Sequence, residues 1–141
     1  MGRAEYRILG GIVVALAIAG AAAAWTVARG ATGSPEVTVE IRYSHFEPSE
    51  LSVSVGVPVT MVLRNRDMID HEWILGDDAV HVRHRTGTEP VHGARPTEIT
   101  IPAGETRRTT IVLDEAGTLR YICHLPGHEA YGMVGVLVAG S

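Results

Sequence analysis

From residue 37 to residue 138 the chain is written in a period of two. The runs VTVEIRY (37–43), LSVSV (51–55), PVTMVLRN (58–65), HEWIL (71–75), EITI (98–101), TRRTTIVL (106–113), TLRYIC (118–123) and MVGVLV (133–138) are short and apolar on alternate residues. Alternation at that period is the mark of a strand with one face turned inward. Gly56, the Pro102–Glu105 stretch and the Asp114–Gly117 stretch punctuate the runs where turns belong. Seven or eight strands in about a hundred residues, with no amphipathic helix among them, predict an all-β fold, an antiparallel β-sandwich. Residues 44–48 are expected to be a turn-rich connection. Residues 77–97 break the regularity: they form a polar excursion rich in His and Arg, with Pro90, Gly93 and Pro96.

One of these runs ends in chemistry. The stretch YICHLPGHEAYGM (121–133) holds the only cysteine of the chain, Cys123, with His128 five residues on and Met133 five beyond that. Thiolate, imidazole and thioether are the soft and borderline ligands that suit copper. Five extended residues span roughly 17 Å, so only a folded loop lets the three side chains meet. Pro126, Gly127 and Gly132 are the residues that fold one. The expectation is a mononuclear copper site with a fourth ligand upstream, on a strand end. His71 is the candidate, since it opens a strand shortly after the one ending at Asn65.

Asn65, the pair His71-Glu72 and the run YICHLPGHEAYGMVG (121–135) together resemble the cupredoxins, the blue (type 1) copper proteins. The resemblance covers 37–139 and takes in the F-x-P turn at 46–48, L-x-V-x-x-G at 51–56 and PAGET at 102–106. The C-x4-H-x4-M spacing looks more like the rusticyanin, auracyanin and sulfocyanin branches than plastocyanin, whose Cys–His gap is shorter. The resemblance implies a Greek-key sandwich with His71, Cys123 and His128 as equatorial ligands and Met133 as a weak axial one. It also implies that the His128 edge reaches the surface within a small apolar patch where redox partners dock. Asn65 is then expected to pin a loop, and the backbone N–H of Glu72 to donate to the Cys123 sulfur.

The remaining histidines divide into two groups. Multidomain copper oxidases carry His-Cys-His around this cysteine, but here Ile122 precedes Cys123 and no H-x-H pair exists in the chain. His124 is therefore expected to bind no metal and to stand at a strand end, open to solvent. His81, His84 and His92 fall in the excursion. They are expected to be solvated, with Arg83 and Arg85 discouraging a second cation by repulsion; whether they hold a second metal is left open by the sequence.

Residues 8–27 are uncharged and apolar. Twenty helical residues cover about 30 Å, one bilayer core. The stretch predicts a transmembrane or signal helix in an N-terminal segment 1–28, followed by a polar linker at 29–36 and the domain at 37–139. Length and Trp25 favour an uncleaved anchor; the Ala22-Ala23-Ala24 triplet offers a signal-peptidase site. Either reading puts the domain on the extracytoplasmic side of the plasma membrane, or in the periplasm or medium after cleavage. The net charge of -4 argues against nucleic acid. The single cysteine forbids an internal disulfide.

The function these features predict is a monomeric one-electron carrier that binds one copper ion. Its partner is a redox protein: a cytochrome, a respiratory complex or an oxidase. The alternative is an extracytoplasmic copper carrier delivering the ion to an oxidase. A copper enzyme would need a second ligand set, and no enzymatic activity is expected.

Overall fold

The computed structural model describes residues 33–140. In chain order the elements are β1 (Glu36–Arg42), β2 (His45–Glu47), β3 (Glu50–Ser54), β4 (Val59–Asn65), β5 (His71–Gly76), α1 (Asp78–Arg85), β6 (Glu98–Ile101), β7 (Thr106–Ile111), β8 (Gly117–Ile122) and β9 (Val134–Gly140). One sheet runs β2-β1-β4-β7 and the other β3-β9-β8-β5-β6. The expected segment 1–28 and the first half of the linker, 29–32, lie outside the described residues, and the last linker residue, Glu36, opens β1. Among the described residues no helix is long and apolar enough to cross a membrane.

The inward faces of the two sheets meet in one apolar core. Val39 and Ile41 of β1 and Met61 and Leu63 of β4 face Trp73 and Leu75 of β5, Tyr121 of β8 and Leu137 of β9, all nearly or wholly buried. Each such side chain contributes about 1.5–3 kcal/mol by leaving water. Tyr121 is the keystone of one end. Its ring packs edge-on against Phe46 at 5.1 Å between centroids. Its hydroxyl donates to the Pro48 carbonyl at 2.8 Å. It lies so close over β9 that a Cβ at Gly135 would come within 2.1 Å of it.

The structure departs from the sequence expectations in three places. Residues 45–47, read as a connection, form the edge strand β2, paired antiparallel with β1. Two pairings, β1 with β4 and β3 with β9, are parallel, so the sandwich is mixed rather than antiparallel. The excursion carries a helix. Asp77 caps α1 by accepting the Val80 N–H at 2.9 Å, while Asp78 in its first turn and Arg83 and Arg85 in its last complement its dipole. It escaped a periodicity reading because its buried residues are His81 and His84, and Val82 is exposed.

The helix packs against β5, where a Cβ at Gly76 would meet Val80 at 2.6 Å. All six residues of β5 are buried. His71, Trp73 and Leu75 take the sandwich side. Glu72 and Ile74 take the other, sharing it with their antiparallel partners Thr100 and Glu98 of β6 and Ile122 of β8.

Candidate metal centre

Three of the four expected ligands converge. One donor atom each from His71, Cys123 and His128 lies within 4.8 Å of the others. His128 Nδ1 is 3.2 Å from His71 Nδ1 and 3.2 Å from Cys123 Sγ. His71 and Cys123 are wholly buried, and His128 is half-buried.

Each side chain is held from behind. The His71 ring approaches the Asp67 carboxylate through Nε2 at 2.9 Å. A neutral ring can face an acceptor there only with its N–H, which leaves Nδ1 as a bare lone pair aimed at the centre. The carboxylate is fixed in turn by the backbone N–H groups of Tyr43 at 2.7 Å and Ser44 at 2.8 Å. Burial alone would raise the Asp67 carboxyl, but those two amides and the His71 ring overcome it and hold it below its ordinary value. The sequence reading missed Asp67; its signal was an acid one helical turn before the ligand candidate.

Asn65 does pin the loop between β4 and β5. Its amide donates to the carbonyls of Ile69 at 2.7 Å and of Ile101 and Pro102 at 3.0 Å, and its Oδ1 accepts the Asp67 N–H at 2.9 Å. The Glu72 N–H donates to Cys123 Sγ at 3.3 Å, as expected of the residue after His71. Burial pushes the Cys123 thiol up to about 11, against that donation. The group therefore holds its proton until a cation displaces it, and metal uptake releases that proton. Burial, reinforced by the neighbouring His71 ring and opposed by Asp67, keeps His128 below the ordinary imidazole value, which favours the neutral ring that can ligate.

The loop from Cys123 to Met133 is a compact set of turns. His128 donates to the Leu125 carbonyl, Tyr131 to Gly127, Gly132 to Glu129, and Met133 to His128, each at 3.0 Å. Gly127 and Gly132 hold φ of 87° and 93°, the left-handed region that disfavours side chains. The Cys123 N–H closes the loop on the Met133 carbonyl at 3.2 Å. Met133 is wholly buried in the same apolar cluster as Cys123. Around this end of the sandwich, Tyr43, Met68, Ile69 and Tyr131 are exposed apolar side chains. A thiolate and two imidazole lone pairs are a donor set that fits copper.

Two further expectations fail. The histidines of the excursion are not solvated, although most of its other residues are exposed: His81 is wholly buried, and His84 and His92 are 5% exposed. The His124 side chain is only 4% exposed. It packs between His81, whose Nδ1 is 3.0 Å from its Nε2, and the ring of His84, stacked at 5.5 Å. Sequence parity explains this: Cys123 faces the sandwich, so its neighbour must face α1.

The chain belongs to the cupredoxin-like domain family, whose profile matches residues 12–139. It is 30% identical over 96 residues to the copper-resistant cuproprotein CopI of Rubrivivax gelatinosus, an alignment covering 66% of this chain and 58% of that one. The chain thus spans somewhat more than half the length of that relative. The copper-resistant cuproprotein CopI of Pseudomonas aeruginosa is 27% identical, with 78% of each chain covered. Among solved structures, auracyanin B superposes with a TM-score of 0.64 at 25% identity, over 79% of this chain and 94% of its own. Auracyanin A, a "blue" copper protein of Chloroflexus aurantiacus, superposes with a TM-score of 0.61 at 28% identity, over 77% of this chain and 100% of its own.

Proposed function

We propose that His71, Cys123 and His128 hold one copper ion as equatorial ligands, with Met133 as a weak axial ligand, and that the protein is a one-electron carrier outside the cytoplasm. The observation that carries this reading is the convergence of the two Nδ1 atoms and Sγ on one point between β5 and the loop after β8. The bound ion supplies a Cu(I)/Cu(II) couple. Everything else is done by the chain. Asp67 fixes the tautomer and angle of the His71 ring. The Glu72 amide lowers the electron density on the Cys123 sulfur, which tunes the potential. Strands β5 and β8 hold His71 and Cys123 in place, so the donor geometry changes little between oxidation states. Half-buried His128 is the route to the surface, and the apolar rim of Met68, Ile69 and Tyr131 suits brief docking of a cytochrome, respiratory complex or oxidase. The apolar run at 8–27 supports an extracytoplasmic domain, tethered or released. We read the protein as a monomeric carrier rather than an enzyme.

The kinship to proteins named for copper resistance favours a second reading, in which the same site stores or delivers copper. Adding copper(II) to the purified protein tests the two. An intense visible thiolate-to-copper band, lost in Cys123→Ser and kept in His124→Gln, is expected for the carrier. A colourless protein that binds Cu(I) tightly would overturn it in favour of delivery.

A further inference from the structure

On the outer face of β5 and β6 lies a second cluster of donors: His84 of α1, His92 of the segment after it, and Glu98 of β6. Their ligand-type atoms also fall within 4.8 Å of one another, and all three residues are buried. Among the described residues three buried side-chain polar atoms lack a hydrogen-bond partner, and two of them, His84 Nε2 and His92 Nδ1, are in this cluster. From these we infer a second metal site, built by His84, His92 and Glu98 for a divalent, borderline-soft ion of the Zn(II) or Cu(II) type.

The tautomers point the same way. His84 Nδ1 sits 2.8 Å from the Val80 carbonyl, so that nitrogen carries the proton and Nε2 of the neutral ring is a bare lone pair. That lone pair faces Glu98 Oε2 at 3.7 Å, and His92 Nδ1 faces the same oxygen at 3.9 Å. Both separations are too long for hydrogen bonds. They are close to the spacing of donors on one tetrahedral ion: with bonds of about 2.0–2.2 Å, neighbouring ligand atoms lie about 3.3–3.6 Å apart. Two buried imidazoles and a carboxylate are a common Zn(II) set and also serve Cu(II).

The surroundings hold the three ligands in place. Arg83 and Arg95 both donate to Glu98 Oε1, at 2.7 and 3.0 Å, which leaves Oε2 turned to the histidines. The backbone of His92 is tied to β6 twice: its N–H to Thr100 Oγ1 at 2.7 Å, and its carbonyl to the Thr100 N–H at 3.0 Å. Pairing of Arg83 with Glu98 and of Arg85 with Glu129 offsets part of the repulsion expected from these arginines. Glu89, its side chain 55% exposed and 3.5 Å from His92 Nδ1, stands at the solvent side and gives an entering cation a first carboxylate. Glu72 Oε1, 3.6 Å from His92 Nε2, supplies a further negative charge.

The test uses the full chain carrying Cys123→Ser and His128→Gln, which disables the first centre. After equilibrium dialysis against Zn(II), and separately Cu(II), metal is counted by mass spectrometry and thermal unfolding is recorded. One retained ion per chain and a raised unfolding midpoint are expected. Adding Glu98→Gln or His92→Gln should weaken retention at least tenfold. The same two substitutions placed alone in the otherwise unaltered protein should leave its visible copper band intact, which shows that they fold. No retained ion in the first protein overturns the site, and so does retention unchanged by either substitution. Because the visible band reports the first centre alone, failure of the second site leaves the carrier reading standing, and the converse also holds.

Discussion

Asp67 and His71 form a single orienting unit: the carboxylate meets the His71 ring at 2.9 Å while two backbone amides grip its oxygens. The ligand ring is therefore aimed by a group that is itself immobile.

Replacing Asp67 with Ala removes that aim and leaves the Tyr43 and Ser44 amides without their acceptor. Groups that orient ligands are typically worth 10–100-fold in metal affinity. We expect copper affinity to fall by about that factor, read by competition with a chromophoric chelator, with the visible band weakened or shifted. An unchanged affinity would mean that the ring is held by packing alone.

Asn65 makes four hydrogen bonds among a β4–β5 loop and the end of β6. Asn65→Ala strands three carbonyls and one amide in a place with little water. At about 1 kcal/mol for each lost bond, moderated by relaxation, the cost is about 2–4 kcal/mol. Denaturant unfolding of the copper-free protein measures it. A loss below about 1 kcal/mol would show that the loop is held by other contacts.

Gly135 carries the Tyr121 ring where a Cβ would sit. Gly135→Ala forces the ring out of its place against Phe46, an overpacking change of about 1–3 kcal/mol or more. The double variant with Tyr121→Ala should lose less than the sum of the two single changes, since the alanine methyl then has room. Additive losses would contradict the steric account.

The copper-free protein should lose stability in mild acid. Burial, reinforced by the adjoining His81 and His84 rings, pushes His124 down to about 4 although Glu129 opposes it, and burial also lowers His81. An unfolded histidine titrates near 6.5. Between these values the unfolded chain binds more protons than the folded one, so stability rises with pH. The contribution is complete above about pH 6.5 and is lost as pH falls toward 4. Unfolding at pH 7.5 and pH 5 should differ, and His124→Gln should flatten the dependence. Equal stability at the two values would remove the claim.

Much of this was legible in the sequence. Eight of the nine strands follow from the period of two, because burial on one face writes itself onto alternate residues. The direction of pairing does not, which is why the parallel β1–β4 and β3–β9 ladders came as a correction. Strand β2 is too short to show a period, and it follows Tyr43 and Ser44, both at positive φ. Cys123, His128 and Met133 were visible because soft donors are rare and a loop could join them. Asp67 was not, because its role exists only once Tyr43 and Ser44 are brought to it. Helix α1 hid because histidines occupy the face where aliphatic residues would announce a core. Alternation carries the burial of His124 only once the inward side of β8 is known, which is why the sequence alone pointed to an open strand end instead.

Arg85 grips Glu129 with both Nε and Nη2, at 3.0 and 2.5 Å. The helix of the excursion is thus bolted to the loop that bears His128. The modular unit for exchange between relatives is then larger than the loop. A transplanted loop at 124–132 that brings no carboxylate to position 129 leaves Arg85 without its partner, so the helix and the loop have to be exchanged with that pair in view.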